Sequence, residues 1–238
     1  MRRKEERAEP YFRTGEKTVK KAVIFDLDGT LLDTLEDLRA STNAALAQYG
    51  YPLRTIEEVR AFVGNGVKNL MLRALDIREP QECPQFGEIF AAFKAHYALH
   101  SNDCTRAYPG VIGLLKRLKD AGAGMAIVSN KLDAAVKQLN NIYFSDYISV
   151  AIGENEAYGI RKKPAPDTVF TALRELGAAG GEAVYVGDSE VDIATAKNAC
   201  LPCISVTWGF RDRACLAAHG AECFCDTPQE VWERLKLL

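Results

Sequence analysis

Short apolar runs rich in β-branched residues alternate with helical patterns along most of this chain. The runs include "VIF" at residues 23–25, "MAIV" at 125–128, "YISVAIG", "EAVYVG" and "CISVTWGF". Between them, segments such as "VIGLLKRLKDAG" and "DTVFTALRELG" repeat apolar residues at the spacing of an amphipathic helix. Strands that are apolar throughout and alternate with helices indicate a parallel sheet covered on both faces. The sequence therefore predicts an α/β core.

The alternation is interrupted from about Thr34 to about Arg106, where the pattern is helical. "TLED" at 34–37 has the form of a capping box, with Thr34 and Asp37 at its ends, and predicts a helix over residues 35–49. We therefore expect an inserted all-helical domain, residues 35–106, within a core made of residues 20–34 and 107–238. Residues 1–19 are expected to form an extension ahead of the fold.

Three of the predicted strands end in polar side chains. These are Asp26 and Asp28, Ser129 and Asn130, and Asp188 and Asp192. Lys163, in the loop "IRKKPAPD", is a further candidate. Because ligands of an open parallel sheet bind beyond the carboxyl ends of its strands, we expect these groups to meet in one place.

Asp26 and Asp28 pose an electrostatic problem, since carboxylates clustered at the end of a buried strand raise each other's pKa values. A hard divalent cation removes the problem, and Mg²⁺ prefers one or two carboxylates together with water and substrate phosphate. A carboxylate can then act as a nucleophile and form an aspartyl-phosphate. A lysine and backbone N–H groups would hold the phosphoryl oxygens.

Four short motifs carry a resemblance to a known family. In order, "DLDGTLLDT", "VSN", "KPAPD" and "GDSEVD" resemble the four motifs of the haloacid dehalogenase superfamily of phosphohydrolases. The motifs span Asp26 to Asp192, and the core pattern continues to the C-terminus. The resemblance implies a Rossmann-like parallel-sheet core, and it implies that the helical insert is a small cap of the superfamily's first class, C1. It also implies Mg²⁺ as cofactor and a small phosphorylated metabolite as substrate.

The resemblance assigns catalytic roles to four of these residues. Asp26 matches the nucleophile, and Asp28 matches the general acid and base. Ser129 matches the hydroxyl that binds phosphate, with Asn130 offering a backbone N–H to the substrate. Lys163 matches the lysine that steadies the nucleophile and the phosphate.

The same resemblance implies a set of metal ligands. Asp26 would bind through its side chain and Asp28 through its backbone carbonyl. Asp188 matches a Mg²⁺ ligand, and Asp192 matches the second acid of its motif, either as a ligand or as an anchor behind the ligands.

Each of the catalytic and metal-ligand candidates also has a simpler structural interpretation. Asp26 and Asp28 could form a turn at the end of a strand, and Asp188 could be a plain turn residue. Ser129 could cap a helix that starts near Lys131. Lys163 could belong to a solvated run of basic residues. Asp192 could be exposed on the first turn of a helix, where the helix dipole favours an acid.

The stretch "FVGNGVKNLMLRAL" in the insert resembles the specificity loop of phosphoglycolate phosphatases. Gly64, Asn65 and Gly66 suit a loop that leads into a helix at about Val67, and a helix N-terminus can hold a carboxylate. The alternative is an ordinary turn between helices. Arg73 is a possible second contact for the anion, or else it is solvated.

Composition argues against several classes of partner. With 30 basic and 32 acidic residues the formal charge is −2, so we expect no nucleic-acid or membrane partner. The N-terminal "MRRKEERAEPYFRTGEK" has no apolar segment behind its basic residues, so it is not a secretory signal. Seven cysteines, an odd number, favour reduced thiols and a cytoplasmic location. We expect a monomer or a homodimer.

Two patterns could bind a second metal. The first is made of four cysteines, Cys200, Cys203, Cys223 and Cys225, for which zinc binding is the alternative to burial as small hydrophobic residues. The second is His96 with His100, whose spacing suits a metal but which lacks an evident third ligand. We expect neither pattern to bind metal.

The expected function is a Mg²⁺-dependent phosphatase that acts through an aspartyl-phosphate, with 2-phosphoglycolate as the first candidate substrate. A β-phosphoglucomutase, an inorganic pyrophosphatase and a sugar-phosphate phosphatase share the same core and cap and stay open as alternatives. The alternative outside enzymes is a catalytically silent binding module, which should have lost a motif residue.

Overall fold

The computed structural model describes residues 21–154 and 159–238. The predicted N-terminal extension, residues 1–19, lies outside the described residues. In chain order the strands are β1 (Ala22–Phe25), β2 (Leu32–Asp33), β3 (Arg106–Ala107), β4 (Gly124–Leu132), β5 (Val150–Glu154), β6 (Ala183–Gly187), β7 (Cys203–Val206) and β8 (Phe224–Cys225). The helices are α1 (Leu35–Gln48), α2 (Ile56–Phe62), α3 (Val67–Ala74), α4 (Phe86–His100), α5 (Val111–Asp120), α6 (Asp133–Tyr143), α7 (Asp167–Leu176), α8 (Glu190–Asn198), α9 (Arg213–Ala218) and α10 (Pro228–Leu235).

Six of the strands form one parallel sheet in the order β5-β4-β1-β6-β7-β8. Successive residues of β1 face opposite sides of it, as the pleat requires. Val23 and Phe25 pack into a core shared with α5, α6 and α10. Ala22 and Ile24 pack into a second core shared with α7 and α8. The predicted α/β class, with helices on both faces of a parallel sheet, is confirmed.

The insert between β2 and β3 is helical, as predicted, and its side chains make up a further hydrophobic cluster that Phe210 of the core joins. Leu46, Val59, Met71 and Phe93 are fully or almost fully buried in it, one from each of α1 to α4. The chain enters and leaves through β2 and β3, which pair antiparallel. These clusters support the division into core and cap, and the boundaries at residues 35 and 106 stay a prediction.

The segment after the second predicted strand differs from the prediction. The strand was expected over residues 125–128, but β4 continues to Leu132 because Leu132 pairs with Glu154 of β5 beyond a shift in register. As a result α6 begins at Asp133, two residues after Lys131. The short elements α9 and β8 were not predicted.

None of the helices in residues 21–154 and 159–238 combines the length and the apolar character that a bilayer crossing requires.

The capping box predicted at the start of α1 is wrong. Thr34 makes no side-chain hydrogen bond to the helix. Asp37 is buried and accepts hydrogen bonds from the backbone N–H groups of Cys104 and Thr105, both at 2.9 Å, and from Thr105 Oγ1 at 2.7 Å. Asp37 therefore joins the start of the cap to the segment by which the chain leaves it, a long-range contact that a local pattern does not reveal.

We expect Asp37→Ala to lower the free energy of unfolding by about 3 kcal/mol, because two backbone donors would lose a buried, charged acceptor. Urea denaturation followed by circular dichroism measures the change. The matched control is Glu36→Ala at the preceding position of α1, where the side chain is exposed and pairs with Arg39. This control should cost less than about 1 kcal/mol. Equal losses in the two variants would contradict the assignment.

Candidate active site

The loop that carries Lys163 is joined to the end of β4 by a reciprocal pair of hydrogen bonds. Asn130 Oδ1 accepts from the Lys163 backbone N–H at 2.8 Å, and Asn130 Nδ2 donates to Lys163 O at 3.0 Å. Both residues are buried. Asn130, which the sequence predicts as a backbone donor to substrate, thus also has a structural role for its side chain.

The Lys163 ammonium group lies between two carboxylates. Its Nζ is 2.8 Å from Asp26 Oδ1 and 2.8 Å from Asp192 Oδ1. Burial lowers the pKa of Lys163, but the charges of Asp192 and Asp26 outweigh burial and raise this pKa above its usual value. Lys163 is therefore a buried, fixed positive charge, which excludes the solvated basic run as its explanation.

Three carboxylates crowd around this point. Asp26, Asp188 and Asp192 each offer an oxygen within 4.8 Å of the others, and all three are buried. Burial, followed by the charge of Asp192, raises the pKa of Asp26 well above its usual value and that of Asp188 to about 7. Buried oxygens that resist carrying charge in this way are the ligand set that a hard divalent cation stabilises. The residues present therefore fit such a cation.

Both oxygens of Asp192 already have protein partners. Oδ1 accepts from Lys163 Nζ and, at 3.0 Å, from the Tyr185 hydroxyl, whereas Oδ2 accepts from Ser189 N–H at 3.1 Å. Asp192 has no exposed surface, so its interpretation as an exposed acid is wrong. Of the two roles that the resemblance implies, the geometry favours the anchor, because Asp192 fixes Lys163 and the start of α8.

Asp188 is held by two groups from distant parts of the chain. Thr30 Oγ1 donates to its Oδ1 at 3.0 Å, and Phe210 N–H donates to its Oδ2 at 2.8 Å. The surrounding backbone is too close for side chains. A Cβ at Gly29 would lie 2.3 Å from Asp188 Oδ2, and one at Gly209 would lie 2.4 Å from the same oxygen. Glycine is therefore required on both sides of this carboxylate.

Lys131 joins Asp28 to the cap. Its Nζ lies 2.9 Å from Asp28 Oδ1, is hydrogen-bonded to the Tyr97 hydroxyl of α4, and sits 4.7 Å from the centre of the Tyr97 ring. Burial lowers the pKa of Lys131, but Asp28 and Tyr97 raise it above its usual value. The Lys131 N–H donates to Ser129 Oγ at 3.2 Å. The Ser129 hydroxyl thus accepts a hydrogen bond within β4 and does not cap α6. The alternative interpretation of Ser129 as a helix cap is therefore wrong.

A cavity of about 50 Å³ separates the cap from these core residues. The core lines it with Asp26, Asp28, Ser129, Asn130, Lys131, Lys163 and Phe210, and the cap lines it with Leu38, Val63, Gly64, Gly66, Val67 and Leu70. Charged groups are therefore on the core side, and aliphatic side chains and glycine are on the cap side.

The predicted loop between α2 and α3 borders this cavity. Gly64 and Gly66 have φ angles of +112° and +81°, and α3 begins at Val67 as predicted. Arg211, from the core, holds the loop in place through Nη2, which donates to Val63 O at 2.7 Å. Its Nε donates to Glu190 of α8 at 2.8 Å. The loop is thus fixed to the same helix that carries Asp192.

Two of the predicted cap contacts do not reach the cavity. Arg73 Nη1 donates to Phe62 O at 2.9 Å, so it satisfies the end of α2 and lies outside the cavity lining. Its proposed role as a substrate contact is not supported by this geometry. The Asn65 backbone oxygen accepts from Asn69 Nδ2 at 2.7 Å, and Asn65 is likewise absent from the described lining.

In residues 21–154 and 159–238, the aspartate cluster is the one group of three or more histidine, cysteine or acidic residues whose ligand atoms lie close enough to share a metal. His96 Nδ1 pairs with Ser41 Oγ at 3.0 Å, and His100 Nδ1 with Asp103 at 2.7 Å. All seven cysteines are free thiols. Cys200 has a φ of +57°, so it occupies the left-handed position that ends α8.

Four residues of the site were not predicted, namely Thr30, Lys131, Phe210 and Arg211. Lys131 directly follows the "VSN" motif, and a lysine at the end of an apolar strand is a usable signal. For the other three, no local pattern identifies a partner that is far away in sequence. These contacts show which side chains lie together in the site. The catalytic and metal-binding roles of those side chains stay predictions.

Comparisons with known proteins agree with this geometry. The profile of the family described as haloacid dehalogenase-like hydrolase matches residues 23–206. Phosphoglycolate phosphatase 1 of Pseudomonas aeruginosa is 34% identical over 235 residues, which cover 96% of this chain and 81% of that protein. Phosphoglycolate phosphatase of Cereibacter sphaeroides is 36% identical over 90% of this chain and 98% of its own.

A solved structure extends the agreement to the fold. The crystal structure of a candidate phosphoglycolate phosphatase from Lactobacillus delbrueckii subsp. bulgaricus matches with a TM-score of 0.86 and 36% identity, over 91% of this chain and 98% of that one. The chain belongs to the haloacid dehalogenase-like hydrolase family.

The raised pKa of Asp188 predicts how a cation changes stability. Its pKa is 3.8 in ordinary surroundings and about 7 in the folded, cation-free protein. Between these values the folded state holds more protons than the unfolded state, so the free energy of unfolding should fall as pH rises, by up to about 4 kcal/mol. Mg²⁺ should therefore raise the unfolding temperature more at about pH 8 than at about pH 5.

Thermal unfolding with a chelator and with saturating Mg²⁺, at both pH values, measures this effect. Asp188→Asn is the control, because an amide does not titrate and should lose most of the response to Mg²⁺. An equal Mg²⁺ response at the two pH values in the unsubstituted protein would contradict a cation at this cluster.

Proposed function

We propose that this chain is a Mg²⁺-dependent phosphatase that hydrolyses 2-phosphoglycolate through an aspartyl-phosphate on Asp26. Family membership and relatives that are phosphoglycolate phosphatases at 31–37% identity support a phosphoric monoester hydrolase. The choice of 2-phosphoglycolate as substrate rests on the cavity between core and cap.

The proposed chemistry has two half-reactions. An Asp26 oxygen attacks phosphorus while the bond to the glycolate oxygen breaks, and Asp28 gives its proton to the leaving oxygen. Asp28 then takes a proton from a water molecule that attacks the aspartyl-phosphate, which releases inorganic phosphate and restores Asp26. Lys163, 2.8 Å from Asp26, would compensate negative charge on the phosphoryl oxygens in both steps.

Asp26, Asp188 and the backbone carbonyl of Asp28 are the groups that would hold Mg²⁺, with Asp192 behind them as an anchor. When bound, the ion supplies the positive charge that three clustered carboxylates and a phosphate need in order to share one site.

The observation that carries the substrate proposal is the composition of the cavity lining. Among the described residues, the cap contributes aliphatic side chains and glycine only, from Leu38 to Leu70. A sugar would leave its hydroxyl groups without side-chain partners on that wall, at a free-energy cost. A small acid instead needs few donors, and the N–H groups at the start of α3 suit a carboxylate. This disfavours the β-phosphoglucomutase and sugar-phosphate alternatives.

We also infer a cytoplasmic location, which seven free thiols support. The chain is expected to act as a monomer or a homodimer on a small phosphorylated metabolite.

Asp26→Asn should abolish turnover with Mg²⁺ present, because an amide is a poor nucleophile. Phosphate release from 2-phosphoglycolate measures activity, and near-ultraviolet circular dichroism checks the fold. Asp33→Asn is the control, since Asp33 belongs to the same motif but pairs with Arg106 outside the cluster. A folded Asp26→Asn protein that keeps its activity would exclude the proposed nucleophile. An unsubstituted protein inactive on every phosphate ester would favour the silent binding module.

Gly66→Val should lower kcat/KM for 2-phosphoglycolate by about 10- to 150-fold, because it strains a positive φ and blocks approach to the α3 N–H groups. Activity on p-nitrophenyl phosphate, which lacks the carboxylate, should fall much less. Gly50→Val is the matched control, with a φ of +74° in the cap and open space around it. Equal losses on both substrates would mean that the loop serves folding or closure. If the unsubstituted protein hydrolyses pyrophosphate or glucose 6-phosphate faster than 2-phosphoglycolate, the assignment of 2-phosphoglycolate as substrate is wrong.

A further inference from the structure

Lys131 is a buried cation that the chemistry proposed above does not use. Only 2% of its side chain is exposed, although lysine is rarely buried to this extent without a specific reason. Its ammonium group has three N–H donors. Among the described residues, its hydrogen-bond partners are Asp28 and the Tyr97 hydroxyl, which account for two of them.

Lys131 lies on the part of the core wall that contacts the cap. Lys131 lines the cavity and contacts Tyr97 of α4, whereas Lys163 lines it and pairs with Asp26 and Asp192, both of the core. A Cβ on Gly66 would lie 3.7 Å from Asn130 O, so the loop between α2 and α3 lies against the residue next to Lys131. Val67, the first residue of α3, borders both this cavity and the adjoining crevice that Lys131 also lines.

Acidic and basic residues are equal in number in the described lining of the cavity. Its described lining contains two acidic residues, Asp26 and Asp28, and two basic residues, Lys131 and Lys163. Lys163 is committed to the nucleophile and its anchor. A second anionic group on the substrate, at the end away from phosphorus, would therefore find Lys131 as the cationic side chain within the described lining.

We infer that Lys131 is a specificity-determining residue whose third N–H binds the carboxylate of the substrate. The inference rests on the proposed function for the phosphoryl chemistry. It adds one charged side chain to the N–H groups of the loop as a contact for the substrate carboxylate. Tyr97 and Asp28 hold the ammonium group from two sides, so that its direction is fixed before substrate arrives. Such an arrangement avoids the entropy cost of ordering a flexible lysine during binding.

Lys131→Met tests this inference with a pair of substrates that differ in the carboxylate. 2-Phosphoglycolate and ethyl phosphate both release a primary alcohol, so both need the same proton from Asp28. Loss of a charge-assisted hydrogen bond should lower kcat/KM for 2-phosphoglycolate about 10- to 100-fold more than for ethyl phosphate, mainly through KM. Lys131→Arg should recover part of the difference, because it keeps the charge.

Binding of unreactive analogues gives a readout that does not depend on turnover. 3-Phosphonopropionate keeps the carboxylate and propylphosphonate lacks it. In titration calorimetry with Mg²⁺, the unsubstituted protein should bind the first more tightly, and Lys131→Met should remove most of that preference. Lys94→Met is a matched control, since Lys94 lies on α4 and borders the adjoining crevice but not the cavity.

The outcomes separate the inference from the proposed function. Equal losses on both substrates would show that Lys131 acts only through Asp28, which would overturn the inference and leave the phosphatase proposal intact. An unsubstituted protein that hydrolyses ethyl phosphate and 2-phosphoglycolate equally well would also overturn it. If Lys131→Met does not fold, the inference is tested with Lys131→Arg and with the binding of the two analogues to the unsubstituted protein. Absence of a carboxylate preference in that binding would exclude the role.

Discussion

Lys163 Nζ lies 2.8 Å from an oxygen of Asp26 and 2.8 Å from an oxygen of Asp192, and all three residues are buried. Without this ammonium group, three carboxylates would meet in a medium of low polarity with no compensating charge from the protein. The lysine also organises its surroundings. Asn130 fixes its backbone and Asp192 fixes its side chain, so the end of β1, the end of β4 and the start of α8 are joined through one lysine.

The parts of the site that could be predicted from sequence are those in which the chain itself carries the geometry. Asp26 and Asp28 follow a strand within three residues, and a parallel sheet places strand ends at one edge. Gly64 and Gly66 predict a loop before α3, because glycine adopts positive φ angles without strain. In each case the relevant distance along the chain is short.

The parts that could not be predicted depend on partners far away in sequence. Asp37 has the pattern of a local cap, yet its acceptor oxygens meet Cys104 and Thr105, because a buried donor competes better than a solvated helix end. The extension of β4 to Leu132 needed a partner in β5. Arg211 gives no local signal, because its partners Glu190 and Val63 are far away in sequence, whereas Lys131 is signalled only by its place directly after the "VSN" motif.

The segment from Trp208 to Arg211 connects the two halves of the active site. Phe210 N–H donates to Asp188, and the next residue, Arg211, donates to Arg60 O and Val63 O of the cap. Arg211 is therefore bonded to the cap loop and is also the chain neighbour of the residue whose amide holds Asp188. One short segment thus couples the position of the cap loop to the position of the Asp188 carboxylate, so a substitution in it is expected to change both together.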